Sequence, residues 1–172
     1  MNKAVMLSIR PKWCEKIARG EKTIEVRKTR PKLDTPFRCY IYRTKGTVSH
    51  IINDKWVKME VGGTVIGEFT CDRIYELAPL NHAPDDVEKR ACLTREEIVN
   101  YLKGTGYGWH ISDLRIYDPL RELTEFQRPC PNDIYCETCA MYSNNGGICN
   151  NGALPLRRPP QSWCYVEAMK DD

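Results

Sequence analysis

The sequence predicts an α+β fold, a small mixed β-barrel of about five to six strands with attached helices and a Cys-rich loop. Segments that alternate apolar and polar residues at period two, as strands do, outnumber the two segments with helical spacing. The segments lack the regular strand–helix–strand order of a parallel α/β sheet. A chain of 172 residues has room for one domain with an insertion, and it buries a sizeable core without a metal or disulfide bonds.

Two segments have the spacing of helices. The first, PKWCEKIARG from position 11, carries a proline in its first turn and ends at Gly20, which is able to close the helix in a left-handed conformation. The second, LTREEIVNYLKGTG from position 93, has Thr94 as its N-cap and Glu97 three residues later, which is the pattern of a capping box. We expect both helices to attach to the sheet.

Alternation at period two predicts strands in KTIEVRKTRP, FRCYIYRTK, TVIGEFTCDRIYEL, GYGWHISDLRIYDPLREL and SWCYVEAM. A double-glycine turn at positions 62–63 precedes the third of these, in which Gly67 marks a bulge or a close approach of two strands. The fourth strand bends near Ser112 or Asp113. The chain contains no internal repeat.

The composition changes between Phe126 and Trp163, where Asn, Gly, Pro and Cys are frequent and no periodic pattern remains. We therefore divide the chain into a barrel at 1–129, a Cys-rich insertion at 130–154, and a final strand and tail at 155–172. The insertion has no core of its own, so another interaction must hold it in place.

Four cysteines of the insertion are spaced C-x5-C-x2-C-x9-C and are candidate ligands of a structural zinc ion: Cys130, Cys136, Cys139 and Cys149. Four thiolates close a tetrahedral zinc site, and ligand bonds that form only in the folded state stabilise a segment without a core. An iron–sulfur cluster is the second alternative, although the spacing matches no common ferredoxin pattern. Free thiols or a single disulfide are the third. The loop is also a candidate surface for a protein partner.

The rest of the composition favours a cytoplasmic protein. We find no apolar run long enough to cross a bilayer, and the first residues break at Arg10 and Pro11 before a signal-peptide core forms. Nine cysteines are an odd number, which excludes a complete disulfide framework. One of three tryptophans is a candidate for base stacking. Otherwise these tryptophans and the scattered cysteines are expected in the core: Trp13, Trp109, Trp163, Cys14, Cys39, Cys71, Cys92 and Cys164.

The net charge of +3 conceals a strongly basic N-terminal part. Residues 1–58 hold 15 Lys and Arg against 5 Asp and Glu, and residues 59–172 hold 11 against 18, which gives +10 and −7. Concentrated positive charge attracts polyanions, so nucleic acid is the first partner to consider. Pairing of the two parts within one domain is the alternative. The candidate phosphate contacts are Lys12, Lys16, Arg19, Lys28 and Arg30.

The strand in GEKTIEVR carries more charge than a half-buried strand requires. Ile24 and Val26 point to one face, whereas Glu25 and Arg27 share the other, about 7 Å apart, with Lys22 at the entrance of the strand. If this face were exposed, the charges would contribute little. If this face lines a cleft, Glu25 needs Arg27 or Lys22 as its partner, and the remaining cation meets an anionic or polar ligand. A structural ion-pair network that joins the first helix to the barrel is the alternative.

Three stretches of the sequence resemble the ASCH domains, a branch of the PUA-like β-barrels related to RNA-binding PUA modules. They are SIRPKWCEKIARGEKTIEVRKTRP with its G-x-K-x-x-E-x-R core, GWHISDLRIYD, and RRPPQSWCYVE. The resemblance covers residues 3–127 and 155–168 approximately, and it leaves out the Cys-rich insertion. It implies a closed or nearly closed barrel with a cleft lined by a helix.

The resemblance also implies a binding module for RNA or a modified nucleobase, with the ligand held in the cleft. Lys22, Glu25 and Arg27 would lie at the mouth of the cleft and contact the base, and His110 and Ser112 are further candidates for ligand contacts. A lone strand histidine is more often structural, which is the alternative for His110. The basic helix beside the cleft would contact phosphates.

An enzyme of the same family is the alternative function. ASCH-type acetylcytidine amidohydrolases carry K-T-I-T-I-R at this point, with the second threonine as nucleophile and the lysine as its base. Lys22 matches the lysine, but Glu25 occupies the position of the nucleophile, where a carboxylate requires a different mechanism. Other members resemble ribonucleases that use a lysine, a tyrosine and a serine, for which Lys22, Ser112 and either Tyr40 or Tyr42 are candidates. Lys22 and Glu25 are thus the candidate catalytic residues of such a hydrolase.

Overall fold

The computed structural model describes residues 3–78, 83–129 and 155–170. These residues form ten β-strands and three α-helices, with a short 3₁₀ turn at Leu123–Glu125. In chain order the elements are β1 (Lys3–Ile9), α1 (Pro11–Ala18), β2 (Ile24–Arg27), β3 (Phe37–Arg43), β4 (Gly46–Ile52), β5 (Lys55–Val61), β6 (Thr64–Cys71), β7 (Ile74–Glu76), α2 (Val87–Ala91), α3 (Arg95–Leu102), β8 (Tyr107–His110), β9 (Ser112–Arg121) and β10 (Trp163–Glu167). Among these helices, none combines the length and the apolar character that a bilayer crossing requires.

The strands form two sheets and a separate hairpin. Five strands pair in the order β10-β1-β3-β6-β9, three in the order β2-β8-β7, and β4 pairs only with β5. The pair β1–β3 is parallel and the other pairs are antiparallel. The predicted mixed α+β class is confirmed, and the described residues contain more strands than the five or six expected because the sheet has several short members and a hairpin.

The core lies between the sheets and the helices. Strand β1 reads KAVMLSI, is buried from its second residue onward, and lies inside the large sheet between β10 and β3. Helix α1 packs Cys14 and Ile17 onto the core through its buried side. On the other side of the molecule, Ile24 and Val26 of β2 pack against α2 and α3. This packing turns the alternate residues of β2 towards the opposite side of the strand.

The sequence patterns that mark turns and caps are confirmed by the structure. Helix α3 begins with a capping box in which the Thr94 hydroxyl and the Glu97 carboxylate each accept a backbone hydrogen bond. The pairing of β6 with β9 shifts register next to Gly67, where an added Cβ would lie 2.3 Å from the Arg115 carbonyl oxygen. Gly67 therefore marks both a bulge and a close approach of two backbones.

The expected burial of the scattered cysteines and tryptophans is confirmed only in part. Three cysteines are fully buried, whereas Cys92 and Cys164 are partly exposed. Trp109 is fully buried, and Trp13 and Trp163 lie at the edge of the same core cluster. The insertion at 130–154 lies outside the described residues, and the division at 130 and 154 remains a prediction. Its four candidate zinc ligands lie outside them as well: Cys130, Cys136, Cys139 and Cys149.

Candidate functional site

A cavity of about 1150 Å³ opens beside the start of α1, at the face of β2 that is turned away from α2 and α3. Its buried and partly buried lining, which we call the floor, includes the charged side chains of Lys22, Glu25 and Arg27 and the rings of Trp13 and Tyr42. Its exposed lining, which we call the rim, comes from Arg10 before α1, the segment after β3, α3, the segment after β9 and the segment before β10. The lining residues used below are Ser8, Trp13, Lys22, Glu25, Arg27 and Tyr42.

Lys22, Glu25 and Arg27 form a buried ion cluster on the floor of the cavity. Their exposed fractions are only 3%, 7% and 7%. One oxygen of the Glu25 carboxylate lies 3.0 Å from Arg27 Nη2, and the other lies 3.4 Å from Lys22 Nζ. We expected Glu25 to pair with one cation and to leave the other for a ligand, whereas in the structure both cations pair with Glu25. Carboxylate and cations compensate each other where an isolated buried charge would be costly.

Both cations of the cluster also bind backbone groups of neighbouring segments. Lys22 Nζ donates to the Ala91 carbonyl oxygen at 2.7 Å. Arg27 Nη2 donates to the Ser8 carbonyl oxygen at 2.8 Å, and Nη1 donates to the carbonyl and hydroxyl oxygens of Ser162 at 3.3 and 3.2 Å. The cluster thereby joins β2 to the end of α2, to β1 and to the segment that leads into β10, which are the segments around the cavity.

Two aromatic side chains line the cavity beside the ion cluster. The Lys22 ammonium lies 5.2 Å from the centroid of the Trp13 ring, and the Lys12 ammonium lies 4.6 Å from it. Both distances are within the range of a cation–π contact. Burial, together with the nearby Glu122 carboxylate, raises the pKa of Tyr42, so its phenol stays neutral at physiological pH. The floor therefore combines charged groups with a neutral hydroxyl and a flat apolar ring.

The charged groups that line the cavity are mostly basic. Arg10, Lys45 and Arg157 stand at the rim against Glu97 and Glu122. With the floor included, five basic residues face three acidic ones, which leaves a net charge of +2. Sequence reasoning did not single out Arg10 and Lys45, because they come from unrelated segments and no spacing connects them. A rim of this kind attracts anionic ligands.

The five basic residues predicted to contact phosphates lie outside the cavity lining. Four of them are exposed, and Lys16 is partly buried and pairs with Glu21 at 3.0 Å. Lys28 lies 5.3 Å from the ring centroid of Tyr101, a residue of the rim. Lys28 is thus placed beside the mouth of the cavity. For the other four residues, contacts with phosphates remain a prediction: Lys12, Lys16, Arg19 and Arg30.

His110 and Ser112 lie elsewhere in the described part of the chain. The Nδ1 atom of His110 is 2.6 Å from the Asp72 carboxylate, and the Ser112 hydroxyl donates to the Thr70 carbonyl oxygen at 2.8 Å. Neither residue belongs to the cavity lining. Of the tyrosines proposed from the ribonuclease resemblance, Tyr42 lines the cavity, whereas the Tyr40 hydroxyl accepts a hydrogen bond from the Met169 backbone within the core.

The described residues contain no group of three or more His, Cys, Asp or Glu side chains arranged to hold a metal ion. The predicted zinc ligands lie in the insertion, outside these residues. The zinc site therefore stays a prediction from cysteine spacing.

Fold and site together define a PUA-like α+β protein with a charged cavity. The sequence pattern of the ASCH domain matches residues 7–94, just over half of the chain, and the protein belongs to the ASCH domain family. This family is associated in general terms with RNA binding. The predicted family membership is confirmed.

Solved structures of an ASCH protein from Zymomonas mobilis have a similar fold. The crystal structure of that protein superposes with a TM-score of 0.57 at 17% sequence identity, covering 97% of this chain and 90% of that chain. A tyrosine-to-phenylalanine mutant of the same protein gives 0.58 at 16% identity over 95% and 90%, and a serine-to-alanine mutant gives 0.59 at 16% over 96% and 89%. At these identities the likeness establishes the fold alone. None of the curated proteins compared with the chain matches it.

Proposed function

We propose that the protein binds RNA or a nucleotide of RNA and holds one base in the cavity against Lys22, Glu25 and Arg27. The observation that carries this proposal is a sheltered carboxylate, held by two cations, on the floor of a cavity of about 1150 Å³ with a net positive lining. Anionic phosphates match the rim, and the polar edge of a base matches a floor with both donors and an acceptor.

Each part of the floor has a partner on a nucleobase. The Glu25 oxygens have lone pairs beyond those used by the two cations, and they are able to accept from an amino or imino group of a base. The Tyr42 hydroxyl is able to donate or accept. Trp13 is partly exposed and lines the cavity, so its ring is the one on which an unpaired base would stack, as in other single-stranded RNA sites.

The salt dependence of RNA affinity tests the proposal. Affinity of the wild-type protein for a labelled single-stranded RNA, measured by fluorescence anisotropy, should fall steeply with salt because phosphate contacts release counterions. Arg10→Gln should lower the slope of log affinity against log salt by about one unit, since it removes one cation from the rim. Arg115→Gln is the matched control, because Arg115 is exposed on β9 and does not line the cavity.

Base preference tests the floor separately from the rim. Glu25→Gln should change the preference among homopolymeric RNAs and leave the salt slope at the wild-type value, since it alters the edge contacts of the base and not the phosphate contacts. The measurement is made at a temperature where the variant is folded. Affinity that is equal at low and high salt, or a slope that Arg10→Gln leaves unchanged, would overturn the proposal.

Hydrolysis is the second candidate, because Lys22 and Tyr42 line the same cavity. The two contacts of Lys22 Nζ, a carbonyl oxygen and a carboxylate, are partners suited to a charged ammonium. The Ser112 hydroxyl lies outside the lining. Incubation with acetylcytidine and with labelled single-stranded RNA separates the two functions. Turnover that Lys22→Met abolishes would favour the hydrolase, and tight binding without turnover favours the binding module.

We propose in addition that the Cys-rich insertion holds a structural zinc ion and contacts a protein partner. Support comes from the cysteine spacing, which suits a closed four-thiolate site. Elemental analysis of the purified protein should find about one zinc per chain. Deletion of residues 130–154 should leave RNA binding intact and abolish binding of the protein partner.

A further inference from the structure

The β4–β5 hairpin exposes a large apolar surface. Of the nine large hydrophobic residues exposed in the described part of the chain, five lie on this hairpin. Trp56 is the most exposed of them at 73%, and Ile51 opposite it is exposed at 61%. Single exposed hydrophobic residues are normal on protein surfaces, whereas Ile51 and Trp56 are paired across the ladder and form one contiguous exposed patch, as binding surfaces do. The five residues are Ile51, Ile52, Trp56, Val57 and Met59.

The register of the hairpin assigns its residues to two faces. Residues paired across an antiparallel ladder point to the same side, and successive residues alternate. One face contains Val48, which is buried, and His50, whose Nε2 lies 3.9 Å from a Glu15 carboxylate oxygen of α1. This face leans on α1 at Val48 and His50, and it also carries the exposed Ile52, Val57 and Met59. The other face, which we call the Trp56 face, points away from it and contains Thr47, Ser49, Ile51, Trp56, Lys58 and Glu60.

The hairpin begins and ends at the rim of the cavity. Thr44 and Lys45 precede β4, Gly63 follows β5, and all three line the cavity. Trp56 is five residues from the end of β5, which places it about 17 Å from the hairpin base at a rise of about 3.3 Å per residue. A single nucleotide in the cavity does not span this distance, whereas a longer strand that leaves the cavity at Lys45 runs onto the hairpin.

We infer that the Trp56 face is a second contact surface for single-stranded RNA, continuous with the cavity. This inference rests on the proposed function and extends it from one base to a strand. Trp56 provides the ring on which a base stacks, and Lys58 lies two residues along the same face, about 7 Å away, where it meets a phosphate. Lys45, where the hairpin begins at the rim, adds a second cation at the end of the hairpin that meets the cavity.

The charges of the hairpin favour RNA over a protein partner. Residues 45–61 contain three lysines against two acidic residues, a net charge of +1. Lys58 and Glu60 lie on the Trp56 face, Lys45 lies at the base of the hairpin, and Lys55 lies on the opposite face. Lysines next to an exposed aromatic ring match the alternating phosphates and bases of a single strand. A partner that buried only the aliphatic residues would have to desolvate these lysines.

RNA length distinguishes the hairpin from the cavity. We compare a dinucleotide with an oligonucleotide of about ten residues, which is within the range of single-stranded sites on small barrels. Trp56→Val should lower the affinity for the long RNA by about tenfold or more, since a stacked base is lost, and leave the dinucleotide affinity unchanged. Valine keeps strand propensity, so the hairpin is retained, and Trp56→Phe should restore most of the affinity. Leu120→Ala, an exposed hydrophobic residue on β9, is the control.

The outcomes separate the inference from the proposed function. Equal affinity of the wild type and Trp56→Val for the long RNA would overturn the inference while the cavity proposal stands. Failure of the wild type to bind either RNA would overturn both. Loss of self-association in Trp56→Val, seen by sedimentation with RNA affinity unchanged, would assign the hairpin to a contact between two copies of the chain and also overturn the inference.

Discussion

Removal of the charge at Glu25 tests the buried ion cluster most directly. Glu25→Gln keeps the shape of the side chain, but it leaves Lys22 and Arg27 without their shared anion and turns an amide N–H₂ group towards one of them. Removal of one member of a buried ion pair costs about 3–5 kcal/mol, since the remaining charge stays buried without compensation. Both cations keep their hydrogen bonds to Ala91, Ser8 and Ser162, so we expect the lower end, about 3 kcal/mol.

Urea and thermal unfolding measure this cost. For a chain of 172 residues, about 3 kcal/mol corresponds to a fall in Tm of roughly 6–12 °C. Glu21→Gln is the matched control, because Glu21 forms an ion pair of 3.0 Å with Lys16 but is exposed, and its loss should cost less than about 1 kcal/mol. Equal losses of stability for the two variants would refute the reasoning, since burial would then contribute nothing.

A double-mutant cycle separates attraction within the cluster from other effects of the substitutions. Lys22→Met removes one cation and leaves the Ala91 carbonyl oxygen without its donor. If Glu25 stabilises Lys22, Lys22→Met costs less in the Glu25→Gln background than in the wild type, and the difference is the coupling free energy. Additive costs would show that the distance of 3.4 Å between the two groups carries no net attraction.

Three further predictions concern the fold. Thr94→Ala removes the N-cap of α3 and should lower the unfolding free energy by about 1 kcal/mol in urea; an unchanged midpoint would contradict the cap. Gly67→Ala places a Cβ against the Arg115 carbonyl oxygen and should lower the unfolding free energy by about 1–3 kcal/mol. Gly104→Ala is a control for backbone strain alone, because a Cβ at this position, with φ +140°, meets open space. Burial raises the pKa of the Cys14 thiol from 9.0 to about 12, so above pH 9.0 the folded state keeps a proton that the unfolded state loses. The free energy of unfolding should therefore fall as pH rises above 9.0, and it should fall less steeply in Cys14→Ala. Identical pH profiles of the two proteins would refute the raised pKa of Cys14.

The parts of the fold that were predictable are those in which local chemistry and tertiary packing agree. The capping box of α3 and the bulge at Gly67 depend on a few neighbouring residues and were read from the sequence. Strand β1 was not predicted, because it is buried on both faces and its continuous apolar run lacks the alternation that marks a half-buried strand. Helix α2 was missed because its five residues are too short for a helical period to show.

The hairpin escaped prediction for the opposite reason. Nearly all residues of β4 and β5 are exposed, so neither strand has an apolar face that the core selects. In the site, the charges of β2 were predictable because a strand with Glu25 and Arg27 on one face conflicts with ordinary burial. Arg10 and Lys45 were not, because they meet at the rim only through the pairing of β1 with β3.

The two interpretations of the charged strand, a structural ion network and a ligand site, describe different members of one cluster. Arg27 and Lys22 hold backbone carbonyl groups of Ser8, Ser162 and Ala91, so the cations fix the segments that surround the cavity. Within the described part of the chain, Glu25 makes ion pairs only with these cations, and it lines the cavity. Replacement of a cation should therefore change stability and the shape of the site, whereas substitution of Glu25 should change stability and ligand preference. A ligand that completes the contacts of Glu25 should raise the Tm of the wild type and fail to do so in Glu25→Gln.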